Sequence, residues 1–348
     1  MEKWKTELVP ADEASIARAA ALLRQGEVVG FPTETVYGLA GDALNPEAVE
    51  KIFRAKGRPQ DNPLIVHIAS MEMLPGLVEN PPELAFKLAE AFWPGPMTMV
   101  LPKSARIPDV TSAGLSTVGI RFPSNPVAQA LIRESGLPIA APSGNLSGRP
   151  SPTAAQHMME DMDGRIPMIL DGGPCAVGVE STVIGVGEDR VRLFRPGGIT
   201  VEMLEEICPV EIDPGVLHVV EAGRKVASPG MKYRHYAPKA DVKIVEGSFD
   251  AFRAFIGRQA GEGVFAIVFD GEENALPVPA LSFGAEDDPA AQAHLLFDLL
   301  RECDERGAKE VYVRSPRTTG IGLAVYNRLL RAAAFQIVHL DESGVAAQ

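Results

Sequence analysis

Cysteine is scarce in this 348-residue chain: Cys175, Cys208 and Cys303 stand apart, and no pair has metal-ligand spacing. That excludes a zinc-finger-like site, and an odd, sparse set suits a reducing compartment. Positive charge is short as well. The chain carries 33 Lys and Arg against 46 Asp and Glu, a net charge of −13. A protein whose main task is coating nucleic acid needs the opposite balance, because phosphate binding draws on a basic surface. A small anionic ligand would need only a few converging cations. No apolar stretch approaches the roughly 20 residues of a membrane span. The first ten residues carry charges where a signal peptide has an apolar core. A cytoplasmic location without a membrane partner is the expectation. The chain also lacks internal repeats, low-complexity tracts and a Walker A pattern, so no standard P-loop is present.

What remains is ordinary globular material, with 46% hydrophobic and 23% charged residues. The length exceeds what one core usually holds and predicts two domains. Residues 1–206 read as mixed α/β. Glu27 to Phe31 is an apolar strand ending at Pro32. Asn45 and Pro46 have N-cap and N1 chemistry, and Ala48, Val49, Ile52 and Phe53 repeat at helical spacing. Strands are expected at 64–68, 97–101, 118–122, 139–141, 168–170 and 181–186. Helices are expected at 83–93, 126–135 and 153–162. Residues 207–240 are broken by Pro209, Pro214, Pro229 and Pro238 and read as a linker. That linker carries a basic and aromatic cluster, Lys232 to Tyr236. From 241 to 348, strands and helices alternate, which implies a smaller, open and parallel α/β unit.

Four polar segments of the first unit fall at strand ends or loops, where α/β proteins hold ligands. Thr33, Glu34 and Thr35 follow a buried strand directly; the alternative is an N-cap and turn before a helix. Lys56, Arg58, Gln60 and Asn62 share a stiff, proline-flanked loop that suits a polyphosphate, although cations also complement a helix C-terminus. Arg121 alternates with apolar neighbours, so it points inward and needs an anionic partner. That partner is either a ligand carboxylate or an Asp or Glu of the chain. Residues 141–151 are small and hydroxyl-rich and permit close backbone approach. Gly178 to Val183 and Leu193 to Gly197 add hydroxyls and Arg195.

The joint order of these segments resembles the threonylcarbamoyl-AMP synthase family, built on the YrdC-type domain. The matching pieces are PTETVYGL at 32–39, KGRPQDNPLIVHI at 56–68, WPGPMT at 93–98, GIRFP at 119–123, APSGNLSG at 141–148, ESTV at 180–183 and RPG at 195–197. SPGMKYRHYAPKA at 228–240 resembles the linker of the long, two-domain members. The resemblance implies a twisted mixed sheet with helices around a large cavity, plus a smaller C-terminal, Rossmann-like open α/β domain.

It also implies an enzyme that condenses L-threonine, bicarbonate or CO2, and ATP with Mg2+ into threonylcarbamoyl-AMP and pyrophosphate. This would make it a nucleotidyltransferase. A separate transferase would pass the threonylcarbamoyl group to a tRNA adenosine, so this chain need bind tRNA at most weakly. By position, the threonine site would be Thr35, His67, Arg121, Ala141 and Ser181. The ATP site would be Arg58, Asn62, Thr117, Ser143, Ser151, Arg195 and Tyr233, with Lys56 and Arg58 as the catalytic cations. Glu34 and His67 are the candidates for a general base, and 228–238 for a lid. Two rival functions are an RNA-binding module without chemistry and a carbamoyl-transfer module of the hydrogenase-maturation type. The second would bring zinc-finger-like cysteines and an acylphosphatase segment, neither of which is visible.

Overall fold

The computed structural model describes residues 4–219 and 235–346. Tyr233 and the stretch 228–234 of the expected lid lie outside the described residues. The chain divides into two compact units, parted near Val216.

The first unit is built on one mixed sheet. Its strands are β1 (Glu7–Pro10), β2 (Val29–Phe31), β3 (Gly38–Asp42), β4 (Ile65–His67), β5 (Met97–Pro102), β6 (Thr117–Arg121), β7 (Ile139–Ala140), β8 (Met168–Asp171), β9 (Thr182–Val186), β10 (Val191–Arg195) and β11 (Val210–Ile212). They lie in the order β1-β8-β2-β3-β7-β4-β6-β5-β9-β10-β11. β4 and β6 are parallel, as are β5 and β9, whereas β5 and β6 are antiparallel. β11 falls in the stretch that the sequence assigns to the linker, and it pairs with β10. The helices are α1 (Glu13–Arg24), α2 (Pro46–Lys56), α3 (Glu83–Phe92), α4 (Asp109–Ser112), α5 (Pro126–Ser135), α6 (Ala155–Met162) and α7 (Val201–Glu205). Asn45 caps α2 as expected, its side chain accepting from the backbone N–H groups of Glu47 and Ala48. The helix ends at Gly57, whose φ of 64° suits glycine.

Strand periodicity decides which face of this sheet is covered. In the half that contains β2, β3, β7 and β8, alternate residues enter two cores. Val29, Phe31, Ala40, Ile139, Met168 and Leu170 join one with α1 and α5. Leu39, Ala140 and Ile169 join the other with α2 and α6. In the half that contains β4, β6, β5 and β9, one face supplies Val66, Val118, Ile120, Met97, Met99, Leu101 and Ile184 to that second core. Among the described residues the opposite face has a small apolar group, Ile65, Val100 and Val183, against Phe194. Polar residues of the motifs occupy the rest of it.

Among the described residues the second unit has five strands, β12 (Asp241–Glu246), β13 (Val264–Val268), β14 (Ala280–Ser282), β15 (Glu310–Arg314) and β16 (Ile337–His339). All run parallel, in the order β14-β13-β15-β12-β16. Its helices are α8 (Phe249–Gln259), α9 (Pro289–Glu305) and α10 (Ile321–Ala332). The expected open, parallel α/β unit is what forms. No helix among the described residues is long and apolar enough to cross a membrane.

Candidate active site

Register places the site on the half-face that carries Ile65, Val100 and Val183. His67 pairs with Arg121, Arg121 pairs with Thr98, and Thr98 pairs with Val183. Residues two apart on a strand share a face. His67 and Ile65, Thr117, Gly119 and Arg121, and Thr98 and Val100 therefore lie on one surface. Thr117, Gly119, Ile65, Thr98, Val100 and Val183 line a recess there. Gly119 keeps it open, because a Cβ at that position would come within 3.1 Å of the Thr98 methyl group.

Arg121 and Glu34 form a buried ion pair, Nη2 to Oε1 at 2.7 Å, with side chains 5% and 9% exposed. This answers the partner question left open by the sequence: a carboxylate of the chain itself takes one edge of the guanidinium. The Glu34 backbone is fixed by its neighbours. Thr33 Oγ1 accepts from the N–H groups of Thr35 and Val36 and donates to the Val36 carbonyl. Val177 N–H donates to the Glu34 carbonyl, and Gly178 N–H to that of Thr35. The Thr35 hydroxyl hydrogen-bonds to that of Thr33 at 2.9 Å. No helix follows this turn; the chain enters β3 instead. Gly38 is required there, since a Cβ would stand 2.6 Å from the Phe31 ring.

His67 is buried, with Nδ1 3.2 Å from the Ile65 carbonyl oxygen. The edge-on ring of Phe31 lies 6.2 Å from its own, centroid to centroid. Burial, reinforced by the nearby Arg121 charge, pushes its pKa down to about 3. It is therefore a neutral imidazole at physiological pH and a poor proton acceptor. Ser181, fully buried, shares a 2.8 Å hydrogen bond with Thr98. Arg195 Nε donates to the Ser181 carbonyl and Nη2 to its hydroxyl. Arg195 closes β10. The two expected subsites thus adjoin at Ser181. Ser151 donates to Glu180 at 2.5 Å, and Ala141 N–H to the Ile65 carbonyl.

The cationic loop is arranged differently from its sequence appearance. Lys56 turns inward. Its Nζ donates to the Ser143 carbonyl, to the Asn145 carbonyl at 2.5 Å and to Asn145 Oδ1 at 3.4 Å. Its own carbonyl accepts from Ser147 N–H. Burial, then the charge of Arg58, holds the Lys56 pKa well below the usual lysine range. Three oxygen acceptors nonetheless match the three N–H donors of an ammonium. Arg58 is half-buried and reaches the Pro63 and Asn62 carbonyls at 3.2 and 3.4 Å. Asn62 is buried, and its Oδ1 has no hydrogen-bond partner among the described residues.

The structure therefore gathers Thr35, Glu34, His67, Arg121 and Ser181 around one sheet face, with Arg195 beside them. Lys56 and Ser143 meet at the loop opposite α2. Thr98 and Glu180 belong with these residues but were not singled out as site residues from sequence. Thr98 shares a face with Val100 and pairs with Arg121, a relation that only register reveals.

Comparison with known proteins follows the same outline. A family profile described as "Telomere recombination" matches residues 21–197, and one described as "Threonylcarbamoyl-AMP synthase, C-terminal domain" matches 199–334. The threonylcarbamoyl-AMP synthase of Bacillus subtilis is 48% identical over 339 residues, spanning 96% of this chain and 97% of its own. That of Pyrococcus abyssi is 45% identical over 337 residues, 94% of this chain and 96% of its own. The crystal structure of P. abyssi Sua5 complexed with L-threonine superposes with a TM-score of 0.88. The two are 42% identical, and the match covers 97% of this chain and 100% of that one.

Proposed function

This chain belongs to the threonylcarbamoyl-AMP synthase family, and from that premise we propose that it condenses L-threonine, bicarbonate or CO2, and ATP into threonylcarbamoyl-AMP and pyrophosphate. The observation that carries the reading is the register of β4, β6 and β5. It gathers His67, Arg121 and Thr98 on a sheet face that few apolar side chains cover among the described residues, where a small zwitterion would find buried partners of both signs.

In this reading threonine lies against Thr35, His67, Arg121, Ala141 and Ser181. Its neutral amine attacks CO2 and gives up one N–H proton to form the carbamate, and a carbamate oxygen then attacks the α-phosphorus of ATP as pyrophosphate leaves. This is nucleotidyl transfer. Positioning and charge neutralisation carry most of such phosphoryl chemistry, and exclusion of water protects the labile carbamate. Arg58 and Arg195 supply charge to the nucleotide, with Asn62, Thr117, Ser143 and Ser151 as its polar partners. Asn62 Oδ1, buried and without a partner among the described residues, suits this role. Lys56 acts one step back by holding the loop that bears Ser143. Tyr233, with 228–238, would cover the nucleotide.

Mg2+ would enter on the phosphates of ATP, where it neutralises charge. Among the described residues no group of three His, Cys, Asp or Glu is placed to hold a metal. The product would serve a separate transferase that modifies a tRNA adenosine, and the reaction would take place in the cytoplasm.

The test is a turnover assay with Mg-ATP. Pyrophosphate release should require both L-threonine and bicarbonate, and mass spectrometry should find threonylcarbamoyl adenylate. Release of ADP and phosphate instead would overturn the reading.

A further inference from the structure

The Arg121–Glu34 pair is unfinished. Glu34 Oε2 and Arg121 Nε are both buried and both lack a hydrogen-bond partner among the described residues. Buried polar atoms are nearly always satisfied, and each exception calls for an explanation. Here one vacant acceptor and one vacant donor sit on the two halves of a single ion pair, whose joined atoms are 2.7 Å apart. The backbone that carries Glu34 is held in place, because Val177 N–H donates to the Glu34 carbonyl and Gly178 N–H to that of Thr35. Arg121 is fixed within β6 between its register partners His67 and Thr98.

A vacant anion edge beside a vacant cation edge complements a ligand carrying both charges close together. An α-amino acid is such a ligand, with an ammonium and a carboxylate on one carbon. His67 beside the pair is held neutral, so it does not compete for the carboxylate as a cation.

We propose that Glu34 is a substrate-binding residue of the amino-acid subsite: its free Oε2 accepts from the substrate's α-ammonium while the Nε side of Arg121 donates to the α-carboxylate. The inference rests on the threonine reading above and adds to it the group that recognises the amine. Glu34 then has a chemical consequence. Carbamate formation requires –NH3+ to become –NH2, and Glu34 is placed to receive that proton: the N–H bond breaks, an O–H bond forms on Oε2, and the nitrogen keeps its electron pair for attack on CO2.

The experiment is calorimetric titration of the full chain with two probes. One is L-threonine; the other is 2,3-dihydroxybutanoate, in which a hydroxyl replaces the amine. Wild type should bind threonine at least tenfold more tightly than the analogue. Glu34→Gln should lower threonine affinity at least tenfold yet leave that of the analogue within twofold. Glu34→Asp, which keeps the charge, should retain part of the preference for threonine. ATP affinity and melting temperature report that each variant is folded. If Glu34→Gln binds threonine like wild type, or loses both probes equally, Glu34 merely supports Arg121 and the proposal is wrong. Equal affinity of wild type for the two probes overturns it without any variant. A wild type that binds no threonine overturns the functional reading itself, a result distinct from either of these.

Discussion

His67 on β4 and Arg121 on β6 face each other directly across two parallel strands. Burial first, and that guanidinium second, lower the imidazole pKa from 6.5 to about 3. The unfolded chain therefore binds a proton that the folded chain refuses. The stability this contributes is complete above about pH 6.5, shrinks as the pH falls, and is gone below about pH 3. In that window the slope from this one group is at most ~1.4 kcal/mol per pH unit. His67→Gln should flatten the dependence of the urea midpoint on pH between 4 and 6. Identical slopes in wild type and variant would show that His67 is not the titrating group.

Arg121→Ala leaves the Glu34 carboxylate buried and alone. Breaking a buried pair in this way costs about 3–5 kcal/mol of stability, visible as a lower melting temperature without ligand. Threonine affinity should fall by ~2–5 kcal/mol, with a smaller effect on ATP. Arg121→Lys should recover little of it, because an ammonium lacks the planar fork that sets the Nη2 donor on Glu34 and the Nε donor toward a second carboxylate. Unchanged threonine affinity in a folded variant would remove Arg121 from the site.

Gly197 follows Arg195 and Pro196 and touches the backbone beneath Ser181. A Cβ there would stand 2.3 Å from Thr182 N and 2.6 Å from the Glu180 carbonyl oxygen. Backbone cannot yield as a flexible side chain does. Gly197→Ala should cost about 1–3 kcal/mol and displace Ser181, so threonine affinity should fall along with the melting temperature. Gly257→Ala is the control, since nothing lies within 4 Å of its added methyl group. Equal behaviour of the two variants would contradict the close approach.

Elements with local signals were legible from sequence. Asn45 and Pro46 announced α2, and the strand–helix alternation after 240 announced the second unit. β3 was not legible, because Gly38, Gly41 and the segment between them have weak strand propensity. Its pairing with β2 comes from tertiary fit of Gly38 against Phe31. α1 was missed although Asp12 caps it by accepting from Ser15 N–H. Ala19, Ala20 and Leu23 mark its buried face. That signal was present and unused. At the site, residue types were legible but partners were not. Glu34 and Arg121 are 87 positions apart, and they meet only because the tertiary fold brings the β2–β3 turn against β6. The inward turn of Lys56 has the same origin. A lysine beside an arginine in a polar loop reads as a phosphate ligand until its acceptors on a distant loop are known.

Lys56 provides the sharpest contrast between charge and position. If its ammonium met phosphate directly, Lys56→Met would raise the KM for ATP and leave the fold unaffected. The geometry predicts otherwise. Removing Nζ withdraws its hydrogen bonds from the Ser143 and Asn145 carbonyls and from Asn145 Oδ1. Each buried acceptor left unsatisfied costs roughly 1–3 kcal/mol, partly offset because the charge itself no longer has to be buried. A net loss of about 2–4 kcal/mol is expected without any ligand. The loop bearing Ser143 should loosen, so ATP affinity should fall further than threonine affinity. Lys56→Arg should not rescue it, because a planar guanidinium cannot point three donors at acceptors clustered around one nitrogen. Thermal unfolding of the ligand-free variant separates the two accounts. A melting temperature equal to that of wild type, with only the ATP constant changed, would return Lys56 to the phosphates.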